Sequence, residues 1–191
     1  DEWIAKVKAN QPELRTEKLE RYQREFDLPK YDAEIITGHK KFADLFEAAT
    51  ELCGKPKKVS NWIMVETMRL LKENNMDPED IRFSPVNLAK LINLADSGSI
   101  TNTVAKEVFE RIFKDDIDPE KYVEEKGLKT VNDEGALRET VQKVLADNPQ
   151  SVEDYHNGKE KAIGFLVGQT MKAMKGKANP ALVNQILKEL L

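Results

Sequence analysis

The chain has 191 residues, a formal net charge of −4 and a single cysteine, Cys53. This length allows one large domain or two small ones. The single cysteine excludes an internal disulfide and a cysteine-rich zinc site. The sequence contains no run of about 18 apolar residues, so we predict no membrane span. We therefore expect a reduced, cytoplasmic setting. Because the chain as a whole is acidic, contact with nucleic acid would have to be confined to local basic patches.

Helical patterns run through the whole sequence and strand patterns are nearly absent, so we predict an all-α fold. In the first part of the chain, prolines, glycines and capping residues mark the helix ends. The predicted helices cover residues 12–26, 32–37, 40–52, 57–75, 85–97, 101–114 and 118–127. Pro12 opens the first helix, and Thr101 is the expected N-cap of the sixth. The helix at 57–75 is apolar around most of its circumference, which predicts a central position in its domain.

The helical pattern restarts after a predicted domain boundary at residues 127–132. Asn132 is the expected N-cap of a helix that runs to about residue 146. Further helical patterns cover 149–155 and 180–191. We therefore predict a helical domain over residues 1–127 and a small tail domain of roughly three or four helices over residues 128–191.

Residues 157–180, with the sequence NGKEKAIGFLVGQTMKAMKGKANP, are the most informative stretch. At about 100° per residue, the predicted helix has an apolar side. That side carries Ile163, Leu166, Val167, Thr170 and Met174. The opposite side carries Lys161, Gly164, Gly168, Lys172 and Lys175, with Phe165 beside them. Glycine inside a helix costs about 0.8–1.0 kcal/mol relative to alanine, so two glycines four residues apart indicate the close approach of a partner.

The sequence allows two kinds of partner for the side of this helix that carries Gly164 and Gly168. One is another helix of the same domain, packed tightly over Gly164 and Gly168. The other is a nucleic-acid backbone, which the bare glycines admit while the lysines neutralise its phosphates. The turn at 175–180 also has two interpretations. Lys175, Lys177 and free backbone amides there would bind a phosphate well. Alternatively, the turn is a plain glycine C-cap that needs no ligand. Asn179 is the expected N-cap of the last helix.

No catalytic constellation is evident in the sequence. His39 and His156 lie in different predicted domains, and neither has a serine or cysteine partner that the sequence reveals. The spacing of Gly164 and Gly168 is not that of a dinucleotide-binding loop, and no strand precedes it. We therefore predict no catalytic residue and no metal ligand in this chain.

A set of short motifs extends in order over nearly the whole chain. The tail contains GKxKAxGFLVGQ at 158–169, MKA at 171–173 and GKANP at 176–180. Upstream are LPxYDA at 28–33, NW at 61–62, AKEVF at 105–109, EKGLK at 125–129, DEG at 133–135, NP at 148–149 and DY at 154–155. Together they closely resemble the C-terminal part of the GatB subunit family of the aspartyl/glutamyl-tRNA amidotransferases.

The resemblance implies a helical domain followed by the tail that this family shares with stand-alone YqeY-like proteins. In the family, the GatB subunit activates the side chain of Glu-tRNA(Gln) or Asp-tRNA(Asn) with ATP and magnesium, and the amidase subunit supplies ammonia from glutamine. That chemistry belongs to an N-terminal domain of the parent protein. The resemblance therefore implies a fragment of an ATP-dependent carbon–nitrogen ligase that binds tRNA, has no cofactor of its own and is inactive alone. Its implied partners are tRNA and the amidase (A) and small (C) subunits of the enzyme. No association with a membrane is implied.

The resemblance also carries a tRNA-contact role to nine positions of the tail. They are Lys159, Lys161, Gly164, Gly168, Gln169, Lys172, Lys175, Lys177 and Asn179. The alternative is a protein–protein interaction module of the same complex, which would pack through Gly164 and Gly168 without touching RNA.

Overall fold

The computed structural model describes residues 13–191, and the regular secondary structure of this part of the chain is entirely helical, which confirms the all-α prediction. Within these residues, the only extended pairing is an isolated bridge between Val131 and Ala178. None of the described helices is both long and apolar enough to cross a membrane. The predicted helix start at Pro12 lies outside the described residues.

Apart from the segment predicted as one helix at 57–75, the described α-helices correspond to the predicted ones. They are α1 (Arg15–Phe26), α2 (Lys30–Gly38), α3 (Lys40–Cys53), α4 (Pro56–Asn61), α5 (Met68–Glu73), α6 (Pro85–Asp96), α7 (Asn102–Asp115), α8 (Pro119–Glu125), α9 (Glu134–Asp147), α10 (Pro149–His156), α11 (Lys161–Ala173) and α12 (Pro180–Leu190). Their ends follow local chemistry. Gly54 ends α3 with a φ of +67°, and the Asp118 carboxylate accepts the amides of Glu120 and Lys121 at the start of α8.

The segment predicted as one regular helix at 57–75 is irregular and is not buried on all sides. A π-helical turn, Trp62–Thr67, joins α4 to α5, and the Thr67 hydroxyl donates to the Trp62 carbonyl at 3.0 Å. Val65 is 49% exposed and Met68 is 36% exposed. Both lie at helical spacing from the exposed Asn61 and Lys72, so a stripe that is polar at both ends faces solvent. The expectation of a central helix was therefore wrong for this face.

The described residues form two compact units. One contains the residues up to Ile92 together with Ile112–Asp116, and the other contains Asn93–Arg111 and Ile117–Leu191. The predicted domains, 1–127 and 128–191, stay a prediction. Within the second unit, the helices of 128–191 share one core, to which residues of α9, α11 and α12 contribute.

In the first unit, ion pairs and aromatic rings hold α1 against α3. The buried Tyr22 ring packs on Phe46, with ring centroids 4.8 Å apart, and its hydroxyl donates to the Glu47 carboxylate at 2.8 Å. Lys18 and Arg21 also pair with Glu47. Burial opposes the ionisation of Glu47, but the hydrogen bonds from Tyr22, Lys18 and Arg21 outweigh it and hold the pKa of its carboxyl below the ordinary value.

The core of the tail helices is apolar and closed. Its fully buried members are Leu137, Val141, Leu166, Ala178, Val183 and Leu187, with Val144 and Ile186 nearly so.

The predicted N-cap of α9 was wrong by one residue. Asp133, and not Asn132, accepts the amide of Ala136 at 3.1 Å, because the helix begins at Glu134. Asn132 instead accepts from the side-chain amide of Asn179 at 2.9 Å.

Candidate nucleic-acid interface

Helix α11 has the two sides that its sequence predicts. Leu166 and Thr170 are fully buried on the apolar side. Ile163, Val167 and Met174 are half-buried and pack against the tail core. The Thr170 hydroxyl donates to the Leu166 carbonyl at 2.9 Å, so this buried polar group is satisfied within the helix. The apolar side therefore fixes the orientation of α11 in the tail.

The opposite side of α11 is open to solvent. Lys161, Gly164, Gly168 and Lys172 are all exposed, and the Phe165 ring is 48% exposed. Apart from the adjacent residues and the backbone of α11 itself, no atom of residues 13–191 would lie within 4 Å of a Cβ atom added at Gly164 or Gly168. No helix of the described residues packs over either glycine, so the first partner considered for them, another helix of the same domain, was wrong. The bare backbone remains available to a partner outside the described chain.

Three lysines give this open side a positive charge that the described residues do not neutralise. Lys161, Lys172 and Lys175 are exposed, and none of them forms an ion pair or a side-chain hydrogen bond with any residue in 13–191. Lys161 and Lys172 are eleven residues apart, or about 16 Å along the helix axis. We call the surface formed by Lys161, Gly164, Phe165, Gly168 and Lys172 the open face, and Lys175 lies just beyond its end.

Lys159 lies before the helix and contributes less free charge. Its ammonium group donates to the Asp154 carboxylate at 2.8 Å, and this hydrogen bond lowers the pKa of Asp154 from its ordinary value. An exposed pair of this kind adds little to stability. A phosphate would have to compete with Asp154 for Lys159, which is not the case at Lys161 or Lys172.

The end of α11 has a Schellman-type turn that consumes its backbone amides. Lys175 and Gly176 have positive φ values of 52° and 73°. The Lys175 amide donates to Lys172 O at 3.0 Å and the Gly176 amide to Met171 O at 2.8 Å. The Lys177 amide donates to Met174 O at 3.1 Å. The expectation of free amides at this turn was therefore wrong, since the helix carbonyls already accept them.

Gly176 is the buried anchor of this turn. Its carbonyl accepts a 2.6 Å hydrogen bond from the Thr101 hydroxyl, whose oxygen also accepts the Val104 amide at 3.2 Å. Thr101 is thus the N-cap of α7, as predicted, and fastens the turn as well. An added Cβ at Gly176 would lie 2.9 Å from the Thr103 Cγ2 atom. These contacts fix the position of Lys175 at the exit of α11.

The last two of the nine predicted positions have evident structural roles. Lys177 is half-buried, and its ammonium group donates to the Gly127 carbonyl at 3.4 Å. Its own carbonyl accepts the Val131 amide at 2.7 Å. Asn179 caps α12, as predicted, by accepting the amides of Ala181 and Leu182. Since the side-chain amide of Asn179 is bound to Asn132, the residue has little capacity left for RNA.

Gln169 lies at the edge of the open face. It is half-buried and shares a shallow depression with Lys172 on α11 and with Asp147 and Asn148 at the end of α9. The structure therefore brings together Lys161, Gly164, Gly168 and Lys172, with Gln169 and Lys175 at the border. Lys159, Lys177 and Asn179 are engaged in contacts within the chain.

Two features of the site were not identified from the sequence. The first is the degree of exposure of the Phe165 ring: helical spacing placed the ring beside the lysines, but spacing does not show whether a neighbouring element covers it. The second is the contact of Thr101 and Thr103 with Gly176, which joins residues about 75 positions apart. Periodicity reports only neighbours on one helix, so a contact of this range leaves no periodic signal.

Comparisons with known proteins match the chain over its whole length. A family model described as a GatB domain matches residues 44–191. All 191 residues align with the GatB subunit of the aspartyl/glutamyl-tRNA(Asn/Gln) amidotransferase of Agathobacter rectalis at 70% identity. The same subunit of Lachnoclostridium phytofermentans is 59% identical and that of Thermodesulfovibrio yellowstonii is 46% identical. In each case the chain spans 40% of the length of the relative.

Proposed function

The chain belongs to the GatB domain family, and from this premise we propose that it is the tRNA-binding part of an amidotransferase GatB subunit. The enzyme would convert Glu-tRNA(Gln) to Gln-tRNA(Gln) and Asp-tRNA(Asn) to Asn-tRNA(Asn), using ATP and ammonia derived from glutamine. The names of the relatives support this assignment of the substrate, because each relative is a subunit of an aspartyl/glutamyl-tRNA(Asn/Gln) amidotransferase.

The observation that carries the proposal is the open face of α11. Among the described residues, Lys161 and Lys172 are exposed and have no ion-pair partner, and no other element covers Gly164 or Gly168 between them. Unpaired lysines attract a polyanion such as RNA. The two glycines have no side chain, so the RNA backbone can approach the helix closely there. The remaining tail surface contains both signs of charge, so the positive potential is local although the chain is acidic overall.

We assign no step of the chemistry to this chain. Activation of the tRNA-bound carboxylate would need ATP and magnesium, and under this proposal both bind to a part of the GatB subunit other than these residues. The subunits that would accompany it are the amidase (A) and small (C) subunits, and the setting would be cytoplasmic. In the proposed role, the described helices hold tRNA, while ligation takes place elsewhere in the enzyme.

Salt-dependent tRNA binding tests the proposal. The probe is a tRNA(Gln) transcript titrated with the 191-residue chain, and the dissociation constant is measured at several salt concentrations. We expect weak binding whose log–log salt slope is close to −0.9 or less per neutralised phosphate. Lys161→Glu combined with Lys172→Glu should weaken binding and reduce the magnitude of the slope by about 1 for each lost phosphate contact.

Lys72→Glu is the matched control for each single reversal, Lys161→Glu or Lys172→Glu, because it makes the same charge change at an exposed lysine of α5. It should leave the slope unchanged, apart from the small effect of net charge. Binding that does not vary with salt, or that survives both open-face reversals in a folded protein, would overturn the proposal. The protein–protein alternative would then be favoured, and it predicts that the same reversals weaken association with the amidase and small subunits.

A further inference from the structure

Phe165 is an apolar residue that the fold buries only in part. Burial of a phenylalanine side chain stabilises a protein by about 1.5–3 kcal/mol, yet this ring is 48% exposed. Six other large hydrophobic side chains are exposed among the described residues, and all six lie in the first unit. In the described part of the second unit, Phe165 is therefore the one large apolar side chain left to solvent.

The surroundings of Phe165 are open and cationic. Gly164 precedes it, Gly168 lies one turn after it, and Lys161 lies one turn before it on the same side of α11. Neither glycine has an atom of the described chain above it. No aromatic ring or cation within residues 13–191 packs against Phe165. The ring consequently has unobstructed space beside it and a lysine on each side along the helix.

We propose that Phe165 is a stacking platform for an unstacked nucleobase of the bound RNA. The inference rests on the proposed function and adds that the open face selects RNA with exposed base faces, as in a loop, over a continuous duplex. Aromatic rings stack on bases of any identity, and single-stranded or looped RNA presents them. A duplex presents phosphates to the lysines but keeps its bases paired. The glycines give a flat base room to approach, and Lys161 and Lys172 hold the flanking phosphates.

Charge decides between this occupant and an apolar protein surface. A docking helix would have to cover the ammonium groups of Lys161 and Lys172 together with the ring, and uncompensated burial of charge is costly. An RNA loop supplies both kinds of contact at once, because its phosphates neutralise the lysines and its base covers the ring. The combination therefore fits RNA better than it fits an uncharged apolar surface.

The test compares Phe165→Leu and Phe165→Tyr with the wild-type chain. The probes are the tRNA(Gln) transcript and a fully paired RNA duplex with the same number of phosphates. Stacking is worth about 1–3 kcal/mol per base, so Phe165→Leu should weaken tRNA binding about fivefold or more. The loss should be the same at every salt concentration, with the salt slope unchanged, because stacking neutralises no phosphate. Duplex binding should not change, and Phe165→Tyr should keep most of the tRNA affinity.

Tyr31→Leu is the matched control, since it removes an exposed aromatic ring from the first unit. It should bind tRNA as the wild type does. If the wild-type chain shows salt-dependent tRNA binding and Phe165→Leu binds equally well, the stacking role is wrong while the proposed function stands. If the wild type does not bind tRNA at all, the proposed function itself fails. An equal loss for tRNA and duplex would also overturn the stacking role.

Discussion

Gly176 is the position at which a single methyl group should disturb the tail most. Alanine there must adopt a φ of +73°, which costs about 1–2 kcal/mol for an L-residue. Its Cβ would also lie 2.9 Å from Thr103 Cγ2 and 3.3 Å from Thr103 Cβ, and overpacking of this kind costs about 1–3 kcal/mol. Together the two effects predict a loss of about 2–5 kcal/mol for Gly176→Ala.

Gly158→Ala separates the two contributions. Gly158 has a similar φ of +85°, but nothing lies within 4 Å of an added Cβ atom. This control should cost only about 1–2 kcal/mol. The free energy of unfolding is measured for both variants by urea denaturation followed by far-UV circular dichroism. If Gly176→Ala cost no more than Gly158→Ala, the contact with Thr103 would not constrain the turn, and the anchoring role of Gly176 would be wrong.

Three further predictions concern stability and binding. Gly164→Ala and Gly168→Ala should each raise the free energy of unfolding by about 0.8–1.0 kcal/mol, because the added methyl meets open space, whereas Gly168→Leu should leave the fold intact and weaken tRNA binding. Destabilisation by either alanine, measured by urea denaturation, would show that the face is covered. Thr101→Val removes the cap of α7 and orphans the Gly176 carbonyl, so thermal and urea unfolding should show a loss of about 2–4 kcal/mol, and a neutral effect would contradict the anchoring contact. Since the pKa of Glu47 is lowered below its ordinary 4.5, its contribution is present above that pH and lost as the pH falls through the lower folded value. Glu47→Gln removes the charge of two partly exposed ion pairs and should cost up to about 1 kcal/mol at pH 7. It should also flatten the pH dependence of unfolding below 4.5, and an unchanged acid profile would argue against this role.

The sequence predicted what depends on neighbours along one helix. The two sides of α11 follow from spacing alone, and the caps at Thr101 and Asn179 follow from local chemistry. The resemblance to the GatB family came from short motifs in order, and the match of residues 44–191 confirms it. These features could be predicted because each is encoded within a few consecutive residues.

The features that were missed depend on what packs against a helix. The glycines of α11 looked equally suited to a covering helix and to RNA, because the sequence does not tell which elements lie nearby. The amides at 175–177 were expected to be free, yet carbonyls of the preceding turn accept them. The cap of α9 moved from Asn132 to Asp133 because either side chain suits an N-cap, and the position of the first helical residue decides between them.

The most direct test of the account is a tRNA titration observed at individual backbone amides by NMR. The amide resonances of Gly164 and Gly168 should shift or broaden as the tRNA(Gln) transcript is added, and raising the salt concentration should reverse the change. Gly54, whose surroundings in the first unit are equally open, is the internal control and should stay unchanged. Binding that leaves Gly164 and Gly168 unperturbed would contradict the claim that the open face of α11 holds tRNA.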